Sequence, residues 1–212
     1  MMRRFEIITE ADARQLDIGA TVELVAGGHV TPLARDTLVA RRVTVVAAAP
    51  DMTADVDLVP VGDIHRVAIG SDHTGVLLKR AVRQHLRARG LSVTDHGTEG
   101  AEAVDYPDIA AAVALAVARK EADAGIVIDG AGIGSAIAAN KIRGVRAAMC
   151  PTETIARYSR EHNGANVITL GATFLPTADA AIRIVDVWLG TTIREARYIR
   201  RLAKIRRLEN LP

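Results

Sequence analysis

The sequence has few of the features that would point to a disulfide-rich, zinc-binding or membrane-spanning protein. Its single cysteine, Cys150, among 212 residues excludes internal disulfides and cysteine-rich zinc sites. No window approaches the roughly 18 uninterrupted apolar residues of a membrane-spanning helix. The N-terminus has no apolar segment or cleavage site of a secretory signal. The sequence therefore predicts a cytoplasmic protein that does not bind a membrane.

Aromatic residues are also scarce, at 3% of the chain, although hydrophobic residues make up 49%. The core must be built from Ala, Val, Ile and Leu, which suits buried parallel strands covered by Ala-rich helices. The charges nearly balance, with 27 Lys and Arg against 25 Asp and Glu. A net charge of +2 does not indicate nucleic-acid binding, although basic residues are concentrated between Arg194 and Arg207.

Composition divides the chain into a short first block, a linker and a long regular block. Residues 1–48 contain candidate helices after Thr9 and Thr31, and strand-like apolar stretches at 22–26 and 43–48. Residues 49–65 carry two prolines and lack periodicity, which predicts a linker. We therefore expect a small N-terminal α/β module tethered to a domain over residues 66–212.

Five apolar, strand-like runs alternate with helical patterns from Arg66 onward. The runs are Val67–Ile69, Leu91–Thr94, Gly125–Ile128, Val145–Met149 and Val167–Leu170. Strands that alternate with helices predict an open parallel α/β sheet, in which ligands bind outside the carboxyl ends of the strands. The residues with the most chemistry to offer lie at those ends.

The first of these strands leads into Asp72 and His73, a carboxylate beside an imidazole. A functional pair at a strand end is one interpretation. An aspartate that caps the next helix, with a solvated histidine beside it, is an equally open alternative.

The third strand leads into Asp129 and then a loop with Gly130, Gly132 and Gly134, before a helix predicted to open near Ser135. Successive glycines let backbone N–H groups approach a ligand, and a helix N-terminus favours negative charge. The loop therefore predicts an anion hole for a phosphate or a developing oxyanion. Asp129 beside it is placed to take a proton from a carbon whose neighbouring oxygen the loop stabilises.

Two further segments offer candidate residues near helix ends. His162 and Asn163 follow a predicted helix, where a histidine is often only a partner of the helix dipole. Arg197 and Arg201 are spaced so that they share one helix face, where two guanidinium groups can grip a phosphate. Cys150 has strand-like neighbours and no activating base nearby, so we interpret it as core.

Taken together, the motifs resemble the type B ribose-5-phosphate isomerase family, which includes the two subunits of galactose-6-phosphate isomerase. The similarity runs from Val67 to about Leu208. Its motifs are GSDHTG followed by LLK, DYP at 105–107, GAGIGSAIAANK at 130–141, GVRAA at 144–148, SREHNGANVITLG at 159–171, VDVWLG at 185–190 and EARYIRRLAKI at 195–205.

The resemblance implies a Rossmann-like, three-layer α/β/α fold with a five-stranded parallel sheet. It also implies an aldose–ketose isomerase that acts on a sugar phosphate without a metal or cofactor. Asp72 and His162 would open the furanose ring, and His73 would line the phosphate end of the pocket. The residues that would form the anion hole for a cis-enediolate are Gly130, Ala131, Gly132, Ile133, Gly134 and Ser135.

The remaining residues implied by the resemblance complete a shared pocket. Tyr106 would form part of its wall, and Asn163 would contact a substrate hydroxyl. Arg197 and Arg201 would clamp the phosphate across a dimer interface. The resemblance thus implies a homodimer, or a dimer of dimers, with shared active sites.

Several residues depart from the family pattern. Many members carry a catalytic cysteine where this chain has Asp129, and others use a glutamate where it has Ser135. Our hypothesis is that Asp129 replaces the cysteine as the base; a sugar-phosphate binding or assembly protein without catalysis is the alternative. Residues 171–173 are neutral where a basic residue is usual, and Tyr198 replaces a histidine, so a tetrose, pentose or hexose phosphate could be the substrate.

The first block lies outside the family's usual extent. Its segment 31–36, TPLARD, resembles short modules attached to enzymes of bacterial microcompartments. That similarity implies a docking or encapsulation element, and an extra structural layer on the isomerase is the alternative.

Overall fold

The computed structural model describes residues 3–47 and 62–209, which belong to two compact units. Most of the predicted linker, from residue 49 to 61, lies outside the described residues, as does Ala48. The boundaries that we assign to the module and the linker therefore stay predictions.

The first unit is a small α/β module with a three-stranded parallel sheet in the order β1-β2-β3. Its elements are β1 (Arg4–Ile8), α1 (Glu10–Gln15), β2 (Thr21–Val30), α2 (Pro32–Ala40) and β3 (Thr44–Ala47). As predicted, α1 begins after Thr9, where the Thr9 and Asp12 side chains each bond to the other's backbone N–H, and α2 begins at Pro32 after Thr31. Ile8, Leu16, Val22 and Leu38 form the core between the helices and the sheet.

The second unit contains a five-stranded parallel sheet in the order β5-β4-β6-β8-β7, with helices on both faces. This confirms the predicted fold class. The elements are β4 (Arg66–Ser71), a 3-10 turn (His73–Gly75), α3 (Val76–Ala88), β5 (Ser92–Asp95), α4 (Tyr106–Ala118), β6 (Ala124–Asp129), α5 (Ile133–Ala139), β7 (Ala147–Met149), α6 (Glu153–Glu161), β8 (Val167–Gly171), α7 (Ala178–Leu189) and α8 (Ala196–Leu208).

The strand side chains alternate between two aliphatic layers, as the low aromatic content predicts. On one face, Ile126 and Ile128 pack with residues of α3, α6 and α7, including Trp188. On the other face, Val127 packs with α4 and α5. The helix α4 lies so close to the sheet that a Cβ on Gly125 would stand 2.8 Å from Cγ1 of Val113.

The strand order creates a crevice between β4 and β6. The chain leaves β4 for β5 on one side and then crosses back to β6 on the other side. The helices that follow these two neighbouring strands, α3 and α5, cover opposite faces of the sheet. Open α/β sheets bind ligands where the strand order reverses in this way, outside the carboxyl ends of the two strands.

Two helices begin earlier than predicted. The helix α4 opens at Tyr106, not Asp108, because Pro107 fits the first turn, where its missing N–H leaves no intrahelical bond unmade. The helix α5 opens at Ile133, not Ser135, because Gly132 already makes the turn into it, with φ of 74°.

Truncation of the strand layer should destabilise the second unit specifically. Ile126 is 0% exposed, so Ile126→Ala should lower the free energy of unfolding by about 2–5 kcal/mol through a cavity. Leu208→Ala, at a residue that is 62% exposed, should change it by less than about 0.5 kcal/mol. The fluorescence of Trp188, the single tryptophan, reports this unfolding in a denaturant titration. Equal effects of the two variants would contradict the assignment of the core.

Candidate active site

At the end of β4, Asp72 caps the short turn that follows. Its Oδ1 accepts hydrogen bonds from the backbone N–H of Thr74 (2.9 Å), the hydroxyl of Thr74 (2.6 Å) and the backbone N–H of Gly75 (3.2 Å). The capping interpretation is therefore confirmed. All three bonds go to Oδ1, so Oδ2 is the oxygen that Asp72 can offer to a ligand.

His73 is exposed and is held by the loop that follows β5. The backbone N–H of Val104 lies 3.4 Å from His73 Nδ1 and donates to it. This bond leaves Nε2 as the nitrogen available to a ligand.

At the end of β6, the carboxylate of Asp129 turns back into the glycine loop and is only 4% exposed. Its Oδ1 accepts from the backbone N–H groups of Ala131 (2.8 Å) and Gly132, and its Oδ2 accepts from the backbone N–H (3.0 Å) and the hydroxyl of Ser135. A carboxylate offers about four lone-pair positions. Donors of the loop fill all of them, so the anion hole that the sequence predicts holds the chain's own carboxylate.

The loop is also fastened to the end of β8. The hydroxyl of Thr169 donates to Gly132 O at 2.6 Å, and both the N–H and the hydroxyl of Thr173 donate to Gly130 O, at 3.0 and 2.5 Å. A Cβ on Gly132 would lie 2.9 Å from the carbonyl carbon of Leu170. Only glycine allows this close approach, which sets the height of the loop over the sheet.

The two strand ends and Tyr106 form one site. The residues that precede Asp72 and Asp129, Ser71 and Ile128, are register partners in adjacent strands. Tyr106 packs its ring over the glycine loop, where a Cβ on Gly134 would lie 2.5 Å from Tyr106 Cζ. Asp72, Asp129 and Tyr106 thus lie near one another at the carboxyl ends of β4 and β6.

A second cluster of predicted site residues forms around His162. Its ring stacks between those of Tyr158 and Tyr198, at centroid distances of 4.7 and 4.5 Å. The guanidinium carbons of Arg197 and Arg201 lie 4.8 and 5.7 Å from the ring centroid of Tyr198.

Charge and hydrogen bonding keep Arg197 in place within this cluster. Its Nη2 donates to the Tyr198 hydroxyl at 3.0 Å, and its Nε lies 2.6 Å from Glu195 Oε2. The bond to Tyr198 and the charge of Glu195 raise the pKa of Arg197. Asn163 is exposed beside His162, and its Nδ2 donates to Tyr158 O at 3.4 Å.

The two groups of site residues lie at opposite ends of the parallel strands. Asp72 and Asp129 follow carboxyl ends of strands, whereas His162 follows α6, a helix that returns from the carboxyl end of β7. Its nine residues, Glu153–Glu161, span about 13 Å. Among the residues that the structure describes, no hydrogen bond or ring contact joins one group to the other. The described contacts therefore leave the predicted site residues of one chain in two separate groups.

Some contacts in these groups were not predicted from the sequence. The bond between Ser135 and Asp129 depends on how the loop folds back, which the motif does not reveal. The stack of Tyr158 on His162 had a readable signal, since residues four apart on a helix are neighbours. Cys150 is confirmed as core: it is fully buried, and burial raises the pKa of its thiol to about 11.

Comparison with known proteins covers the second unit. A family model described as Ribose/Galactose Isomerase matches residues 67–205. The Escherichia coli protein named ribose-5-phosphate isomerase B is 43% identical over 144 residues, which is 68% of this chain and 96% of that protein.

Two solved structures of relatives agree in fold with this unit. Clostridium thermocellum ribose-5-phosphate isomerase B is 48% identical, with a TM-score of 0.67, over 68% of this chain and 97% of that one. The Mycoplasma genitalium enzyme, solved with bound ribulose-5-phosphate, is 40% identical, with a TM-score of 0.66, over 69% and 97%.

A pair of glycine variants tests whether contact with β8 fixes the loop. Gly132 and Gly144 both have positive φ, but a Cβ on Gly144 would meet nothing within 4 Å. Gly144→Ala should cost about 1–2 kcal/mol of unfolding free energy from backbone strain alone. Gly132→Ala should cost a further 1–3 kcal/mol or so, because its Cβ overlaps backbone atoms of β8. Equal losses in a denaturant titration would contradict the close approach.

Proposed function

We propose that this chain, which belongs to the ribose/galactose isomerase family, interconverts the aldose and ketose forms of a sugar phosphate. The observation that carries the proposal is the convergence of Asp72, Asp129 and the glycine loop at the crevice between β4 and β6. The bound ribulose-5-phosphate of the Mycoplasma genitalium relative supports a sugar phosphate as the ligand. Ribose 5-phosphate and its ketose are the first candidates.

A related tetrose, pentose or hexose phosphate is also compatible with the pocket. The turn after β8, Gly171–Thr173, is neutral, and Tyr198 is stacked on His162 and bonded to Arg197. Both features lie near the groups proposed to bind the distal end of the substrate. In this assignment Arg197, Arg201 and His73 bind the phosphate, Asn163 binds a hydroxyl, and Tyr106 forms the wall.

The proposed reaction begins with opening of the furanose ring by Asp72, through its available Oδ2, and His162. Asp129 then takes the proton from the carbon next to the carbonyl, and the electron pair of the broken C–H bond forms a cis-enediolate. A proton from Asp129, which can exchange with solvent while the enediolate persists, then adds to the other carbon, and the hydroxyl proton passes between the two cis oxygens to complete the isomerisation. No electron acceptor is required, since one carbon is oxidised as its neighbour is reduced.

Asp129 needs a free lone pair for this role, and rotation of the Ser135 hydroxyl can provide one. Three of the four donors to its carboxylate are backbone N–H groups fixed by the loop, whereas the Ser135 hydroxyl can rotate away from Oδ2. As Asp129 gains a proton and loses its charge, negative charge develops on the enediolate oxygen. The positive field of the loop's N–H groups, which the carboxylate no longer neutralises, then stabilises that oxygen.

A homodimer with shared sites is part of the proposal. The second cluster lies at the opposite end of the strands from Asp129. A second copy therefore has to supply His162, Asn163, Arg197 and Arg201. An apolar surface next to the crevice supports this arrangement: Tyr106, Ile133 and Ile137 are 40%, 51% and 59% exposed. Burial of these side chains against another copy would place its second cluster over the glycine loop. The same surface is compatible with a dimer of dimers.

The location and the N-terminal unit belong to the proposal as well. In the described part of the chain, no helix is long and apolar enough to cross a membrane. We infer a cytoplasmic enzyme whose first unit serves as a docking element, such as one for a bacterial microcompartment, or as an extra structural layer. The independent core of that unit, Ile8 to Leu38, supports a separate role.

Solvent deuterium exchange tests the isomerase against the alternative of a binding protein without catalysis. That alternative is favoured by one observation, the engagement of Asp129 by four donors. In D2O with a panel of tetrose, pentose and hexose phosphates, the wild type should place deuterium next to the carbonyl of at least one substrate. Absence of exchange with every sugar, measured by mass spectrometry, would contradict enediolate chemistry.

Substitution of Asp129 should separate chemistry from binding. Asp129→Asn should lower turnover by roughly 10²–10⁴-fold, the usual contribution of a general base, with substrate affinity by calorimetry nearly unchanged. Asp129→Cys, which carries the family's more usual side chain, should keep measurable turnover. Ser135→Ala removes one of the two donors to Oδ2 and should also remain active. Undiminished turnover of Asp129→Asn would overturn the assignment.

Mixing two inactive variants tests the shared site. Asp129→Asn and the double variant Arg197→Gln/Arg201→Gln should each be inactive as homodimers. In a hybrid dimer one site carries both defects and the other carries none, so random reassortment should restore about one quarter of wild-type turnover. Each variant alone, refolded in the same way, is the control. No recovery, with hybrids verified by native mass spectrometry, would contradict a site shared between chains.

A further inference from the structure

A buried lysine outside the residues already described ties α3 to the loop after β5. Lys79 is 0% exposed, and lysines are almost never fully buried unless they are paired. Its ammonium donates to Asp95 Oδ1 at 2.8 Å and to Thr98 O at 2.7 Å, and lies 3.6 Å from Glu99 Oε1. The ammonium group therefore has two hydrogen-bond acceptors and a second carboxylate close by.

The segment held by Lys79 runs alongside β4 up to the residue before Asp72. His96 N donates to Ile69 O at 2.7 Å, and Thr98 N donates to Ser71 O at 3.3 Å. Between them, Gly97 N donates to Asp95 Oδ1, the same oxygen that Lys79 binds, at 3.0 Å. Lys79 thus organises both the turn at Gly97 and its attachment to the end of β4.

Ion pairs on the outer side of this turn keep it in place. Arg83 binds the carboxylates of both Asp95 and Glu99. Arg80 donates to the Glu99 carboxylate at 3.0 Å and to the Glu99 backbone carbonyl at 2.7 Å. Hydrogen bonds from Arg83 and then Arg80 lower the pKa of Glu99 to about 2. Glu99 therefore stays ionised over the pH range in which an enzyme works.

The far end of the same loop reaches His73, where Val104 N–H donates to Nδ1 at 3.4 Å. A neutral imidazole has one donor and one acceptor nitrogen. Because Nδ1 accepts here, the ring proton of the neutral imidazole belongs on Nε2. A phosphate oxygen accepts hydrogen bonds and cannot donate when ionised, so this tautomer fits a phosphate ester.

We propose that Lys79 is a positioning residue, which holds the loop from Asp95 to Val104 so that His73 meets the substrate phosphate as an Nε2–H donor. The role of the phosphate rests on the proposed function. The tautomer does not, because it is a property of the protein without substrate.

The experiment measures the tautomer and the kinetics on the full chain. Long-range 1H–15N spectra of 15N-histidine-labelled protein, with His73 assigned by loss of its signals in His73→Gln, should show a protonated Nε2 in the wild type. In Lys79→Met the signals should move toward a mixture of tautomers, and KM should rise about tenfold while kcat stays within about twofold, since the lost bond serves binding. Arg87→Gln, on the same helix but bonded to Val93 O and not to this loop, should change neither.

A second variant guards against a folding defect in Lys79→Met. Val104→Pro removes the N–H donor without touching the buried ion pairs, and should shift the tautomer in the same direction. A protonated Nδ1 in the wild type, or an unchanged tautomer in both variants, would overturn the proposal. So would a changed tautomer with unchanged KM. Failure of the proposed function would show differently, as absence of deuterium exchange by the wild type with its tautomer intact.

Discussion

The common direction of the five strands is the constraint on which the site depends. Parallel strands place all their carboxyl ends at the same end of the sheet, and each connecting helix has to carry the chain back to the amino ends. Asp72 and Asp129 therefore lie at the carboxyl ends of the strands, and His162 lies toward their amino ends. Within one chain the two groups therefore lie at opposite ends of the strands. A site shared between two copies, as proposed, is the arrangement in which both groups of residues can contact one substrate.

At the carboxyl end of β6, the loop that follows the strand is organised around a negative charge. Four donors point to the position of the Asp129 carboxylate, and the hydroxyls of Thr169 and Thr173 hold the carbonyls of the loop away from it. Donors that the fold already holds in place need no reorganisation when charge develops beside them. In the proposed site, Asp129 thus keeps the hole formed while no substrate is bound.

Much of this architecture was predictable because it follows from local patterns. Apolar runs marked all five strands, and the carboxyl-end rule brought Asp72 and Asp129 together. Orientation was not predictable: nothing in the motif shows that Asp129 turns into its own loop. The burial of Lys79 also escaped sequence reasoning, since a lysine near the start of an amphipathic helix is usually solvated, and its acceptors come from a loop many residues away.

Two of the departures from the family pattern, at Asp129 and Ser135, are in contact in the folded loop. Ser135 occupies the position where some members carry a glutamate, and its N–H and hydroxyl both bind Asp129 Oδ2. A glutamate there would bring a second carboxylate against the first, and two such groups in contact resist ionising together. Here a hydroxyl donates to the carboxylate of Asp129 instead. If Asp129 is the base, as proposed, Asp129 and Ser135 form a matched pair, in which the site keeps one carboxylate at the tip of β6 and a neutral donor on the helix.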